Sequence, residues 1–100
     1  MIRHIIMFKF KDVKNEEDRL QKTNKIKSSF LPLRNIINVV ESYEVAINSR
    51  KTEFSYDVAL ISEFNTWNDL ETYIDHPEHK KAIAICKDIE KEKAVIDYEF

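Results

Sequence analysis

The stretch from Arg3 to Lys11 alternates as a strand does, yet neither of its faces is plainly polar. His4, Ile6, Phe8 and Phe10 fall on one side, and Ile5 and Met7 stand among Arg3, Lys9 and Lys11 on the other. Successive strand residues point to opposite faces, so burying both apolar sets requires a covering layer on each side of the sheet. One layer of helices accounts for one face only. Whatever covers the second face limits the folds open to this chain more than any bulk property does.

The remaining elements follow from periodicity and caps. Asn15 is placed to cap a helix whose first turn holds Glu16, Glu17 and Asp18, where negative charge suits the helix dipole. That helix is expected to run to Phe30 with Leu20, Thr23, Ile26 and Phe30 inward, and to stop at Leu31 because Pro32 follows. Strand patterns recur over Val39–Asn48 and Phe54–Phe64. In the latter, Tyr56, Val58, Leu60, Ser62 and Phe64 share one face, with Ala59 and Ile61 on the other. Thr66 and Asp69 open a second helix through Trp67, Leu70, Tyr73 and Ile74, with Trp67 expected to anchor it to the sheet. Pro77 breaks that helix and restarts it as far as Lys91, with Ala82, Ile83, Cys86 and Ile89 inward. A last strand spans Ala94–Phe100, and the mixed-charge run Lys87–Lys93 before it reads as a solvated helix end.

The order strand, helix, strand, strand, helix, strand is that of a ferredoxin-like α+β fold, an antiparallel sheet with helices on one face, in one domain over residues 1–100. If the helices cover Ile6, Phe8, Leu60 and Phe64, then Ile5, Met7, Ala59 and Ile61 lie on the open face. A second copy of the chain is the expected cover, giving a homodimer joined sheet to sheet.

Composition removes several functions. A net charge of −2 lacks the basic footprint of nucleic-acid binding. The chain has no glycine, so phosphate-cradling glycine loops are excluded. No apolar run approaches the roughly 20 residues that span a bilayer. The chain opens directly on a strand pattern without an export signal, and its single Cys86 forms no internal disulfide, so the expected compartment is the cytoplasm. In its helical context Cys86 is expected to pack as a small hydrophobe.

Chemistry concentrates in Tyr73-Ile74-Asp75-His76-Pro77-Glu78-His79, which holds two of the three histidines. His4, facing inward on the first strand beside Ile6 and Phe8, needs a polar partner once buried. A histidine titrates near neutrality, with an ordinary pKa of ~6.5, and so suits removal of a proton next to a carbonyl. His79 stands in the first turn after Pro77, where the positive helix end disfavours imidazolium and keeps a base available. Against this stand plainer roles: His79 as a cap or packing residue, Tyr73 as an amphipathic core residue, and His76 as the residue that fixes the turn before proline. A metal site built from His76 and His79 with His4 and Asp75 is a weaker alternative, because the proline turn does not ensure a shared direction. No residue specifically marks a haem ligand.

The chain resembles the stress-responsive A/B barrel domain family of dimeric α+β barrels. The resemblance rests on Ile2-Arg3-His4-Ile5-Ile6-Met7-Phe8-Lys9-Phe10-Lys11, Glu44-Val45-Ala46-Ile47-Asn48, Leu70 with the Tyr73–His79 segment, and Asp97-Tyr98. It implies a dimeric barrel with a small-molecule pocket between sheet and helices, in a family with many members of unassigned activity. The family includes a cofactor-independent polyketide cyclase that closes a poly-β-keto thioester with a histidine base and a tyrosine. By motif position the resemblance implies His79 as that base, Tyr73 as the tyrosine and His4 as a further cavity histidine, with no cofactor and no metal. Leu20, Thr23 and Ile26 stand where the cyclase lines its alkyl pocket with aromatic residues, and Ala46 replaces a usual glycine, so the substrate is expected to differ. Two readings therefore remain from the sequence: a stress-associated binding domain, or a proton-transfer enzyme.

Overall fold

The computed structural model describes residues 1–100. Its elements are β1 (Ile2–Phe10), α1 (Glu16–Phe30), a one-turn α2 (Leu33–Ile36), β2 (Ser42–Ile47), β3 (Val58–Phe64), α3 (Trp67–Asp75), α4 (Pro77–Ile85) and β4 (Lys91–Glu99). The strands form one antiparallel sheet in the order β2-β3-β1-β4. This is the ferredoxin-like α+β arrangement, with the two halves of the chain interleaved so that β1 and β3 are central.

Register aligns residues across the sheet. His4 pairs with Ser62 on one side and Asp97 on the other, and Ser62 pairs in turn with Tyr43. Tyr43, Ser62, His4 and Asp97 thus make one row on the helix-covered face. The apolar residues of that face, Ile2, Phe8, Leu60 and Phe64 among them, form the core with Ile26, Phe30, Leu70 and Ala82 of the helices.

The helix ends carry their own explanations. Asn15 accepts from the Asp18 N–H at 2.8 Å, and Thr66 accepts from the Asp69 N–H at 3.1 Å. His76 ends α3 and caps α4 at once: its backbone is extended (φ −65, ψ 136), as a residue before proline prefers, and its Nδ1 accepts from the Glu78 N–H at 3.0 Å. Pro77 occupies the first position of α4, where its missing N–H costs nothing. The one residue with positive φ is Asp12 at 55°, a type whose short polar side chain tolerates the left-handed region.

Several boundaries differ from the sequence expectation. Leu31 remains right-handed helical (φ −57, ψ −38) although proline follows, and the chain continues through Pro32 into α2. Leu20 is 56 % exposed, leaving Thr23, Ile26 and Phe30 as the inward residues of α1. Phe54 is 82 % exposed in a turn before β3. There the Ser55 hydroxyl accepts from the Thr52 N–H at 2.8 Å and the Thr52 hydroxyl accepts from the Phe54 N–H at 3.2 Å, so local side chains hold the backbone that a strand would use. Trp67 is 44 % exposed and donates from Nε1 to Glu99 at 2.9 Å, so it ties α3 to the end of β4 and is not part of the core. Finally, α4 ends at Ile85, and Lys91–Lys93 belongs to β4, not to a helix end.

On the uncovered face, Ile5, Met7, Ala59, Ile61 and Ala94 are half-buried and Ile96 is exposed. Arg3 spans its rim, donating to Glu63 at 2.7 and 2.9 Å and to the Tyr98 hydroxyl at 2.6 Å while lying 4.0 Å from the Phe100 ring centroid. No helix is long and apolar enough to cross a membrane.

Candidate functional site

Above the polar row of the sheet, the break between α3 and α4 delivers two rings. Tyr73 and His79 lie on either side of His76-Pro77 with ring centroids 4.5 Å apart, and Tyr73 lies 6.4 Å from His4. The three residues singled out from sequence are therefore gathered in one place. His4 and His79 are each 6 % exposed, and Tyr73 is buried.

Beside them opens a cavity of about 760 Å³, within the range of small-molecule sites. The sheet contributes His4, Ile6, Phe8, Lys93, Val95 and Asp97 to its wall. The helices contribute Phe30, Ile74, His79, Ile83 and Cys86. Leu20, Thr23 and Ile26 are not among the lining residues; Phe30 is the part of α1 that reaches the cavity.

The hydrogen bonds fix the chemistry of the two imidazoles. His79 Nδ1 lies 3.0 Å from the Ile74 carbonyl oxygen, which can only accept, so Nδ1 carries the proton and Nε2 the lone pair. His4 Nδ1 pairs with the Asp97 carboxylate across the strand pair, which assigns its proton in the same way. Neither Nε2 has a protein partner, yet no buried side-chain nitrogen or oxygen lacks one. Both Nε2 atoms are therefore open to solvent on the cavity side. Burial is the leading cause that pushes the His79 pKa below the ordinary histidine value; the bond to Ile74 opposes it, and the nearby His4, His76 and Lys93 add to it. The neutral ring is thus favoured through neutral pH.

Tyr73 is placed differently from its expected task. Its hydroxyl meets the Tyr43 hydroxyl at 3.0 Å, and Tyr73 is not among the residues that line the cavity. Burial pushes its pKa up to about 12 and raises that of Tyr43 still further, so both phenols stay protonated. The Tyr73 ring lies against that of His79, tilted by 49°. His76 spends its Nδ1 on the α4 cap, and no three His, Cys, Asp or Glu side chains are grouped to hold a metal ion. Cys86 is free and buried at the end of α4.

Asp97, Tyr43 and Ser62 had no assigned role from the sequence. Their signal was the register: once β1 and β4 are paired antiparallel, Asp97 must lie beside His4.

A model of the stress responsive A/B barrel domain matches residues 2–100. The chain belongs to the stress responsive A/B barrel domain family. An uncharacterised protein of Streptomyces coelicolor is 30% identical over 101 residues, covering 100% of both chains. A dimeric protein of unknown function with a ferredoxin-like fold from Bacteroides fragilis superposes with a TM-score of 0.88 at 34% identity, covering 99% of this chain and 95% of that one. A hydroxynitrile lyase from Passiflora edulis shares the fold, with a TM-score of 0.66 at 16% identity over 99% of this chain and 95% of its own. Family membership and fold thus agree with the motifs read from the sequence.

Proposed function

We propose that this A/B barrel domain binds a small carbonyl compound in its cavity and transfers a proton without a cofactor, with His79 as general base. The observation that carries this reading is the pair of Nε2 atoms, both open to the cavity and both opposite a tethered Nδ1. A tethered ring is aimed before the substrate arrives. His79 Nε2 takes a proton from the carbon beside the carbonyl, the C–H electron pair becomes the enolate, and the imidazolium returns its proton to carbon or to a newly formed alkoxide. His4, aligned by Asp97, offers a second acceptor to a substrate hydroxyl or water. Tyr73 acts as a positioning residue through its ring contact with His79.

Deuterium incorporation into a panel of aryl methyl ketones in D2O tests this. Wild-type protein is expected to exceed the buffer rate, and His79→Ala to lower the excess by about 100-fold or more with the circular dichroism spectrum unchanged. An excess rate that survives His79→Ala overturns the assignment.

We further infer that the open sheet face pairs with that of a second copy. The support is the apolar set Ile5, Met7, Ile61 and Ile96 on that face, together with relatives described as dimeric. The cavity lies on the opposite face, so each copy keeps its own site. We place the protein in the cytoplasm, where a free buried Cys86 suits a reducing medium.

A further inference from the structure

The chain as a whole is acidic, with net charge −2, yet four lysines stand on the wall of this one cavity: Lys11, Lys87, Lys91 and Lys93. Their surroundings divide them. Lys91 is committed to structure, its Nζ donating to the carbonyl oxygens of Cys86 and Ile89 at 3.0 Å each and so fastening the turn between α4 and β4. Lys11, Lys87 and Lys93 take part in none of the chain's ion pairs. Of the two acids on the wall, Asp97 is paired with His4, which leaves Glu90 alone to face the three free ammonium groups. Apolar walls with one excess sign of charge concentrate the field inside a cleft.

Lys93 is the best placed of the three. It pairs in register with Phe8, on the helix-covered face, and is separated by Val95 from Asp97 in the histidine row. Four residues of strand cover about 13 Å, shortened by the reach of the lysine side chain. Between the two ends the wall is made of Ile6, Phe8, Phe30, Ile74 and Val95. A positive end, an apolar middle and a histidine end therefore follow one another along β4.

We propose that the cavity selects an elongated molecule with an apolar body and an oxyanion, carboxylate or phosphate, at the Lys93 end, which directs its other end toward the His4 row. This inference rests on the small-molecule reading of the cavity and adds the charge and shape of what enters it.

Calorimetric titration of the full chain in low-salt buffer with biphenyl-4-carboxylate, biphenyl-4-yl phosphate and the neutral biphenyl-4-carboxamide tests it. At least one anion is expected to bind about tenfold more tightly than the amide, and the stronger of the two identifies the oxyanion. Lys93→Gln is expected to cut that advantage to about threefold or less, and 0.5 M NaCl to narrow it, since salt screens exposed charges. Lys51→Gln, at an exposed lysine that does not line the cavity, is expected to leave it intact. Equal binding of all three ligands overturns the charge preference while the cavity stands as a binding site. An undiminished advantage in Lys93→Gln also overturns it, and no binding by any of the three removes both readings.

Discussion

At the residue scale the cavity depends on how each imidazole is held. Burial favours the neutral form of His79, and that has a consequence for stability. Its pKa in the folded chain lies below the ordinary ~6.5, so between those two values the unfolded chain binds the proton more readily. The contribution of the neutral ring is fully present above about pH 6.5 and is lost as pH falls through the folded-state value. Thermal melts are expected to hold steady above neutrality and to fall on acidification. His79→Gln is expected to flatten that fall; an unchanged slope in the variant would assign it to other groups. Asp97→Asn retains the size of the side chain and removes the charge that aligns His4. It is expected to lower turnover with little loss of fold, read as a change in kcat at nearly constant melting temperature. His79, Tyr73 and His4 could be found from sequence because histidine and tyrosine are conspicuous there, and the family motif collects them. Asp97 belongs to the same motif set but has no role assigned by it, since a carboxylate on a strand gains its meaning only from the residue across the ladder.

At the element scale the α3–α4 break is the device that brings Tyr73 against His79. His76→Ala removes the side-chain acceptor for the Glu78 N–H and is expected to cost about 1 kcal/mol in chemical denaturation. A second anchor is Asp57, buried before β3, whose carboxylate accepts from the Phe10 N–H at 2.7 Å and pairs with Arg19. It joins the end of β1 to α1. Asp57→Ala leaves both donors without it and is expected to cost about 2–3 kcal/mol, measured by the shift of the denaturation midpoint. Asn15, Thr66 and Pro77 were readable because capping is local chemistry. Strand ends were less so. Phe54 and Tyr56 have strand-like character but precede a turn secured by Thr52 and Ser55. Lys91-Glu92-Lys93 has no apolar alternation because it lies at a sheet edge, where charge on both faces is common; only pairing with Lys9, Phe10 and Phe8 of β1 reveals it as strand. As strand, the run turns Lys93 to the helix-covered face, where it lines the cavity.

At the scale of the whole molecule the two faces of the sheet divide the work. Helices and the cavity occupy one, and Ile5, Met7, Ile61 and Ile96 leave the other in need of cover. Light scattering at micromolar concentration is expected to give a dimer, and Met7→Glu with Ile61→Glu a folded monomer; a monomeric wild type would contradict the pairing. The two-sided first strand already carried this requirement, and the fold follows from it together with the element order. What the sequence could not carry was the shape of the space between α4 and β4, because a cavity is made of what side chains leave unfilled.

Each cavity histidine is tethered through Nδ1, an arrangement that presents Nε2 to a ligand. Long-range ¹H–¹⁵N correlation of the histidine rings at pH 7.5 tests it most directly. The expected result is a neutral His79 with its proton on Nδ1, the minor tautomer of free histidine, and a protonated Nδ1 on His4. A His79 that holds its proton on Nε2 would rule out this arrangement, because the atom assigned as the base would then have no lone pair to offer.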